Sequence, residues 1–82
     1  MAKLIDTFSD LYKRRLAKEI NLAIAKGHTI RYGWDNVMDA KFSQGGLVVK
    51  VVDVAGYVPA TDLDEFYDVN LRETICASRE AK

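Results

Sequence analysis

The 82-residue sequence has few of the residues that most often carry chemistry or covalent crosslinks. It contains one cysteine, one histidine and one proline, and its twelve basic side chains balance its twelve acidic ones. The single cysteine, Cys76, excludes an internal disulfide framework. Leu, Ile, Val and Phe make up 23 of the 82 residues, too many for a disordered chain without net charge. We therefore expect a single small globular domain over residues 1–82.

Long hydrophobic runs are also absent. The longest run is the four residues Leu22 to Ala25, so the sequence predicts no membrane span. The first six residues already include Asp6, and no secretory signal region is visible. These features predict a cytoplasmic protein in a reducing compartment.

Motifs for metal binding and catalysis are missing as well. His28 and Cys76 lie 48 positions apart and belong to no ligand spacing, which predicts neither metal nor cofactor. The acids between Asp62 and Asp68 lack the glycine and the alternating oxygen ligands of a calcium loop. We expect His28 to donate to the last carbonyls of the preceding helix and Cys76 to be inert. No residue pair is selected for catalysis, so a non-enzymatic protein is predicted.

A long amphipathic helix is predicted over residues 4–26. Apolar residues recur there at spacings of three and four, and Gly27 follows as the residue that can end the helix. Extended segments are predicted next, over residues 28–34, over 38–43 less securely, and over the valine-rich 47–54. In the first of these, Ile30, Tyr32 and Trp34 alternate on one face, and the pair Gly45-Gly46 signals a hairpin.

The segment 62–78 admits two interpretations. Thr61 can cap a helix whose first turn is rich in acids, and this favours a C-terminal helix. The alternation of Tyr67, Val69 and Leu71 with polar residues also admits a helical turn followed by a strand. Either way the expected class is α+β, with the N-terminal helix packed on a small antiparallel sheet.

The neutral total charge conceals an uneven distribution. Residues 1–41 carry eight basic and five acidic side chains, whereas residues 42–82 carry four basic and seven acidic ones. This separation predicts an electrostatically polar domain. It also suggests a homodimer in which the basic end of one copy meets the acidic end of the other.

A non-enzymatic protein–protein interaction module is the functional class that remains. Aromatic and arginine side chains are the usual interface anchors, and compact inhibitors from phages and mobile elements share this profile. We expect a regulator, adaptor or inhibitor that acts by steric occlusion of a partner protein. Nucleic-acid binding through the basic face of the first helix is the alternative hypothesis. The candidate contact residues are Arg14, Lys18, Trp34, Tyr57, Val58, Asp62, Asp64 and Glu65.

Overall fold

The computed structural model describes residues 10–75 and has an α+β fold in which one helix packs on a six-stranded antiparallel sheet. The strand order in the sheet is β4-β3-β2-β1-β5-β6. The helix α1 spans Asp10–Ala25, and the strands β1 to β6 span Ile30–Tyr32, Asp35–Ser43, Gly46–Val51, Tyr57–Pro59, Phe66–Asp68 and Glu73–Thr74.

The N-terminal helix is confirmed over the described part of its predicted range, and residues 4–9 lie outside that part. It ends as the sequence predicts, because Gly27 adopts a φ of +94°. The amide of Gly27 donates to the carbonyl of Ile24, and the amide of His28 donates to that of Ala23. This pair of bonds is a Schellman motif, which satisfies carbonyls that the end of a helix otherwise leaves unpaired.

Strands β1 to β4 form a meander whose boundaries differ from the predicted ones. β1 is shorter than 28–34 because Gly33 and Trp34 form a two-residue turn, so Trp34 does not share a strand face with Ile30 and Tyr32. β2 begins earlier than residue 38 and carries a bulge between Val37 and Asp39. The hairpin signal is confirmed, since Gln44 and Gly45 form the turn between β2 and β3.

β3 ends at Val51, three residues before the predicted end at Val54. The valine-rich composition favours a strand up to that point, but Asp53 and Gly56 are turn-forming residues. The amide of Val52 still donates to the Asn36 carbonyl at 3.0 Å, and the chain then turns towards β4. Pro59 lies in β4, an outer strand, where its missing N–H costs no ladder bond.

The C-terminal region has the turn-and-strand arrangement, and the favoured helix over 62–78 is wrong for the described residues up to 75. Only Leu63–Glu65 forms a helical turn, of the 3₁₀ type, and its cap is Asp62 rather than Thr61. β5 follows at once and pairs with β1. The chain then reverses through Arg72, whose φ is +59°, into β6. The pairing of β5 with β1 therefore outweighs the helix preference that the acids of a first helical turn would give this segment.

The core lies between α1 and one face of the sheet. Asn21 joins the two layers, because its side chain donates to the Ala40 carbonyl at 2.7 Å and accepts from the Ala40 amide at 3.0 Å. β1 pairs only with the first two residues of β2, so the Asn21 amide takes the place of a neighbouring strand farther along β2. The buried apolar residues are Leu16, Ala17, Ile20, Ile30, Val37, Ala40, Leu47, Val49, Val51, Ala60, Leu63 and Phe66.

The opposite face of the sheet, which we call the open face, is not covered by the helix. Strand side chains alternate between the two faces, so the neighbours of the core positions point to this side. The alternation places basic and aromatic side chains there, namely Arg31, Lys41, Lys50, Tyr57 and Tyr67.

Candidate functional site

Among the described residues, the most exposed large apolar side chain belongs to Trp34, at the turn between β1 and β2. Its exposed fraction is 92%. Gly33 occupies the first position of this two-residue turn with a φ of +65°, which is the arrangement of a type II′ hairpin turn. The tight turn carries Trp34 beyond the end of the sheet, where the indole has little contact with the rest of the domain.

Three more exposed apolar side chains lie at the same end of the sheet. Met38 is part of the β2 bulge, and Val52 and Val54 lie in the loop after β3. The bond from the Val52 amide to the Asn36 carbonyl fixes that loop beside the start of β2. None of these three residues was predicted as a contact residue. All three fall within the predicted strands 38–43 and 47–54.

The connection from β4 to β5 brings acidic residues to this end. The amide of Asp62 donates to the Tyr32 hydroxyl at 3.1 Å. A Glu65 carboxylate oxygen lies 4.0 Å from the position that a β-carbon on Gly33 would occupy. Asp62 also caps the 3₁₀ turn, accepting from the Asp64 amide at 3.3 Å.

We call this end of the domain the tip surface. It is formed by the segments 33–38, 52–56 and 62–65, which contain no lysine or arginine. The exposed apolar side chains of the β1–β2 turn, the β2 bulge and the β3–β4 loop thus share this end of the domain with acidic side chains. The exposed apolar members are Trp34, Met38, Val52 and Val54, and the acidic members are Asp35, Asp53, Asp62, Asp64 and Glu65.

The predicted contact residues fall into three groups. The tip surface unites Trp34 with the three acids predicted at positions 62, 64 and 65. Tyr57 lies on the open face, where its hydroxyl donates to Asp39 at 2.5 Å and Lys41 lies 4.3 Å from its ring centre. The hydrogen bond to Asp39 raises the pKa of Tyr57 above its usual 10.0. Val58 packs against the core instead.

Arg14 and Lys18 form the third group, on helix α1. The Arg14 guanidinium lies 4.4 Å from the ring centre of Phe42, near the far end of β2 from Trp34. Lys18 is exposed one helical turn later. The basic part of the helix and the acidic tip surface therefore occupy separate parts of the domain, consistent with a polar charge distribution.

A second cluster of polar groups surrounds Asp68, which is 1% exposed. His28 Nδ1 donates to one carboxylate oxygen at 2.8 Å, and the amides of Asn70 and Leu71 donate to the other. Burial alone would raise the pKa of Asp68, but these hydrogen bonds and the His28 charge favour the carboxylate. The pKa of Asp68 consequently lies below its usual value of 3.8. The His28 side chain thus bonds to Asp68, and it is the His28 amide that donates to a helix carbonyl, that of Ala23.

The His28–Asp68 pair lines an open pocket of about 360 Å³ between the end of α1 and the turn from β5 to β6. A histidine held by a buried carboxylate resembles part of a hydrolytic triad, but among the described residues 10–75 the pocket walls offer Thr74 and neither serine nor cysteine as a nucleophile. The pair joins the helix end to β5, and we assign it a structural role. The remaining wall residues are Glu19, Leu22, Ala23, Lys26, Leu71, Glu73 and Ile75.

The comparisons with known proteins yield no relative. No protein-family model, no curated protein and no solved structure matches the chain. Function therefore has to be argued from the site itself.

Two further features of residues 10–75 bear on the functional class. Within this range, no three His, Cys, Asp or Glu side chains are grouped closely enough to hold a metal ion. In the same part of the chain, no helix has the length and apolar character needed to cross a membrane. Cys76 lies outside the described residues.

Proposed function

We propose that the chain is a small protein–protein interaction module that binds a partner through the tip surface. The observation that carries this proposal is the 92% exposure of Trp34 on a rigid two-residue turn. Tryptophan is enriched among the residues that dominate binding energy at protein interfaces. Tryptophan buries a large area with only two side-chain torsions to fix, so the entropy cost for the area buried is low when a partner pocket encloses it.

The surroundings of Trp34 fit the usual anatomy of an interface. Met38, Val52 and Val54 extend the apolar area, and the carboxylates form a polar rim around it. The main-chain bond from Val52 to Asn36 and the bond from the Asp62 amide to the Tyr32 hydroxyl hold these segments together, so the surface is largely preorganised before binding. We propose that binding occludes a working surface of the partner, which would make the chain a cytoplasmic regulator, adaptor or inhibitor without chemistry of its own.

Affinity capture from the native host tests this proposal with the full chain as bait. We compare the wild type with Trp34→Ala, and use Tyr67→Ala as the matched control because it removes an exposed aromatic ring from the open face. Trp34→Ala should weaken the capture of a specific partner about thirtyfold, the scale of an interface hot spot, whereas Tyr67→Ala should not. If the Trp34→Ala chain retains the same partners at wild-type affinity, the tip surface is not the binding site.

Nucleic-acid binding is a second candidate, and the open face is what favours it. Arg31 lies beside Tyr67 in the sheet, and Lys41 lies beside Tyr57, so cations that could bind phosphates accompany rings that could stack on bases. The hypothesis predicted from the sequence instead uses Arg14 and Lys18 on α1. Titration with labelled oligonucleotides at low and moderate salt tests both surfaces. Strong, salt-sensitive binding that is lost in Tyr67→Ala would favour the open face.

Self-association is a further proposal that follows from the separated charges. The basic side chains of α1 and the acidic tip surface could meet between two antiparallel copies. Light scattering over a concentration series measures this directly. A monomer at high concentration and low salt would exclude the homodimer.

A further inference from the structure

We infer that the partner presents a basic protein surface, in which lysine or arginine side chains surround an apolar pocket for Trp34. This inference rests on the proposed function and adds the chemistry of the partner. Its basis is the composition of the tip surface, whose segments contain five acidic side chains and neither lysine nor arginine beside the exposed apolar residues. Like charges facing each other across an interface are unfavourable, so an acidic partner surface would be rejected.

The arrangement of the acids shows that this charge is held at the apolar patch and is not merely close in sequence. Asp62 is fixed by the bond between its amide and the Tyr32 hydroxyl, and Glu65 lies beside Gly33 in the turn that carries Trp34. Asp35 directly follows Trp34, and Asp53 separates Val52 from Val54. Acidic side chains from three separate segments of the chain therefore belong to the same end of the domain as Trp34.

The same charge argues against two other occupants of an exposed aromatic tip. An indole with neighbouring valines could enter a membrane interface, but cytoplasmic leaflets carry a negative surface potential that repels carboxylates. Nucleic acids present a phosphate backbone of the same sign. A basic protein surface is the occupant whose charge complements the tip, and attraction of this kind increases the association rate most at low salt.

Trp34 provides the readout, because it is the one tryptophan of the chain. The probes are two tryptophan-free helical peptides with the same leucine stripe, one flanked by lysines and the other by glutamates. We expect the lysine peptide to shift Trp34 emission to shorter wavelength at low salt, and added NaCl to reverse the shift. The glutamate peptide, vesicles containing phosphatidylglycerol and a thymidine oligonucleotide should leave the emission unchanged.

Charge-neutralised variants test the contribution of the acids. In one variant Asp62→Asn, Asp64→Asn and Glu65→Gln are combined, and the Asn at position 62 retains an oxygen that can cap the 3₁₀ turn. Its association rate with the lysine peptide should fall about tenfold at low salt, and the salt dependence should flatten. The matched control combines Asp10→Asn, Glu19→Gln and Glu73→Gln, which removes three acids away from the tip surface, and its rate should remain within about twofold of the wild type.

Three results would overturn the inference. Equal binding of both peptides would show that charge does not select the partner, while Trp34-dependent capture would still support the proposed function. A shift with vesicles or oligonucleotide would assign the tip to a membrane or a nucleic acid. No shift with either peptide would show that apolar contact and positive charge are insufficient for recognition. Failure of the proposed function itself is seen separately, as unchanged capture by Trp34→Ala.

Discussion

The Nδ1 atom of His28 lies 2.8 Å from Oδ2 of Asp68, which joins the last residue of the Schellman motif to the last residue of β5. The Asp68 carboxylate also accepts the amides of Asn70 and Leu71, so it organises the turn that leads to β6. One buried side chain thus connects α1, β5 and the following turn. The energetic consequences of this arrangement can be measured directly.

Replacing Asp68 with alanine should destabilise the domain by about 2–4 kcal/mol, because two backbone amides and the His28 ring lose their acceptor. Urea unfolding followed by circular dichroism provides the free energy of unfolding. Asp64→Ala is the control, since it removes an exposed acid, and it should change that free energy by less than about 0.5 kcal/mol. Similar losses in the two variants would contradict the structural role of Asp68.

The lowered pKa of Asp68 predicts a specific loss of stability in acid. The unfolded chain takes up a proton near the usual value of 3.8, whereas the folded chain resists protonation until lower pH. The stabilisation is therefore fully present above about pH 5, and is lost as the pH falls through the folded-state pKa. Unfolding free energies of the wild type and Asp68→Asn should converge between pH 5 and the acid limit. A constant difference over this range would contradict the assignment.

Asn21→Ala should cost about 1–3 kcal/mol, because both main-chain groups of Ala40 lose their partner at the free edge of β2. Asn70→Ala is the comparison, since Asn70 is exposed and accepts one bond from the Thr29 amide. We expect that loss to be less than half as large. Hydrogen exchange at the Ala40 amide should also accelerate in Asn21→Ala, and an unchanged exchange rate would argue against the bridge.

Gly33→Ala should destabilise the domain by about 1 kcal/mol, because an alanine at a φ of +65° is strained even though space is present. Gly46→Ala is the matched control, since Gly46 has no positive φ and open space around it, and its effect should be within about 0.5 kcal/mol of zero. The nuclear Overhauser contacts of the Trp34 indole should change only in Gly33→Ala. Equal thermal stability of the two variants would refute a constrained turn.

The sequence predicted the features that depend on local patterns. The periodicity of α1, its end at Gly27 and the glycine turn before β3 each follow from neighbouring residues, and the structure confirms them. The helix favoured after Asp62 is wrong because a non-local pairing with β1 determines that segment. Local helix signals carry no information about such a pairing.

The candidate site could be predicted only in part for a similar reason. Trp34 and the acids at 62, 64 and 65 were candidates on their residue types alone, and the fold brings them together. Met38 became exposed through a bulge, and Val52 through an early strand end, and neither event has a strong sequence signal. Val58 was a candidate from its place beside Tyr57, but its side chain packs against the core.

The strand order has a consequence for how the domain assembles. In the meander, each of the strands β1 to β4 pairs with the strand that precedes or follows it in the chain. β5 instead crosses the sheet and pairs with β1, so that Asp68 lies opposite Ile30. Pairing β5 with β1 brings together segments that are far apart in the sequence, which is entropically costly. We therefore expect this pairing to follow the formation of the meander. In native-state hydrogen exchange, β5 and β6 should then open together as one unit at a lower free energy than β2 and β3. The His28–Asp68 hydrogen bond would then hold this last-formed segment against the end of α1.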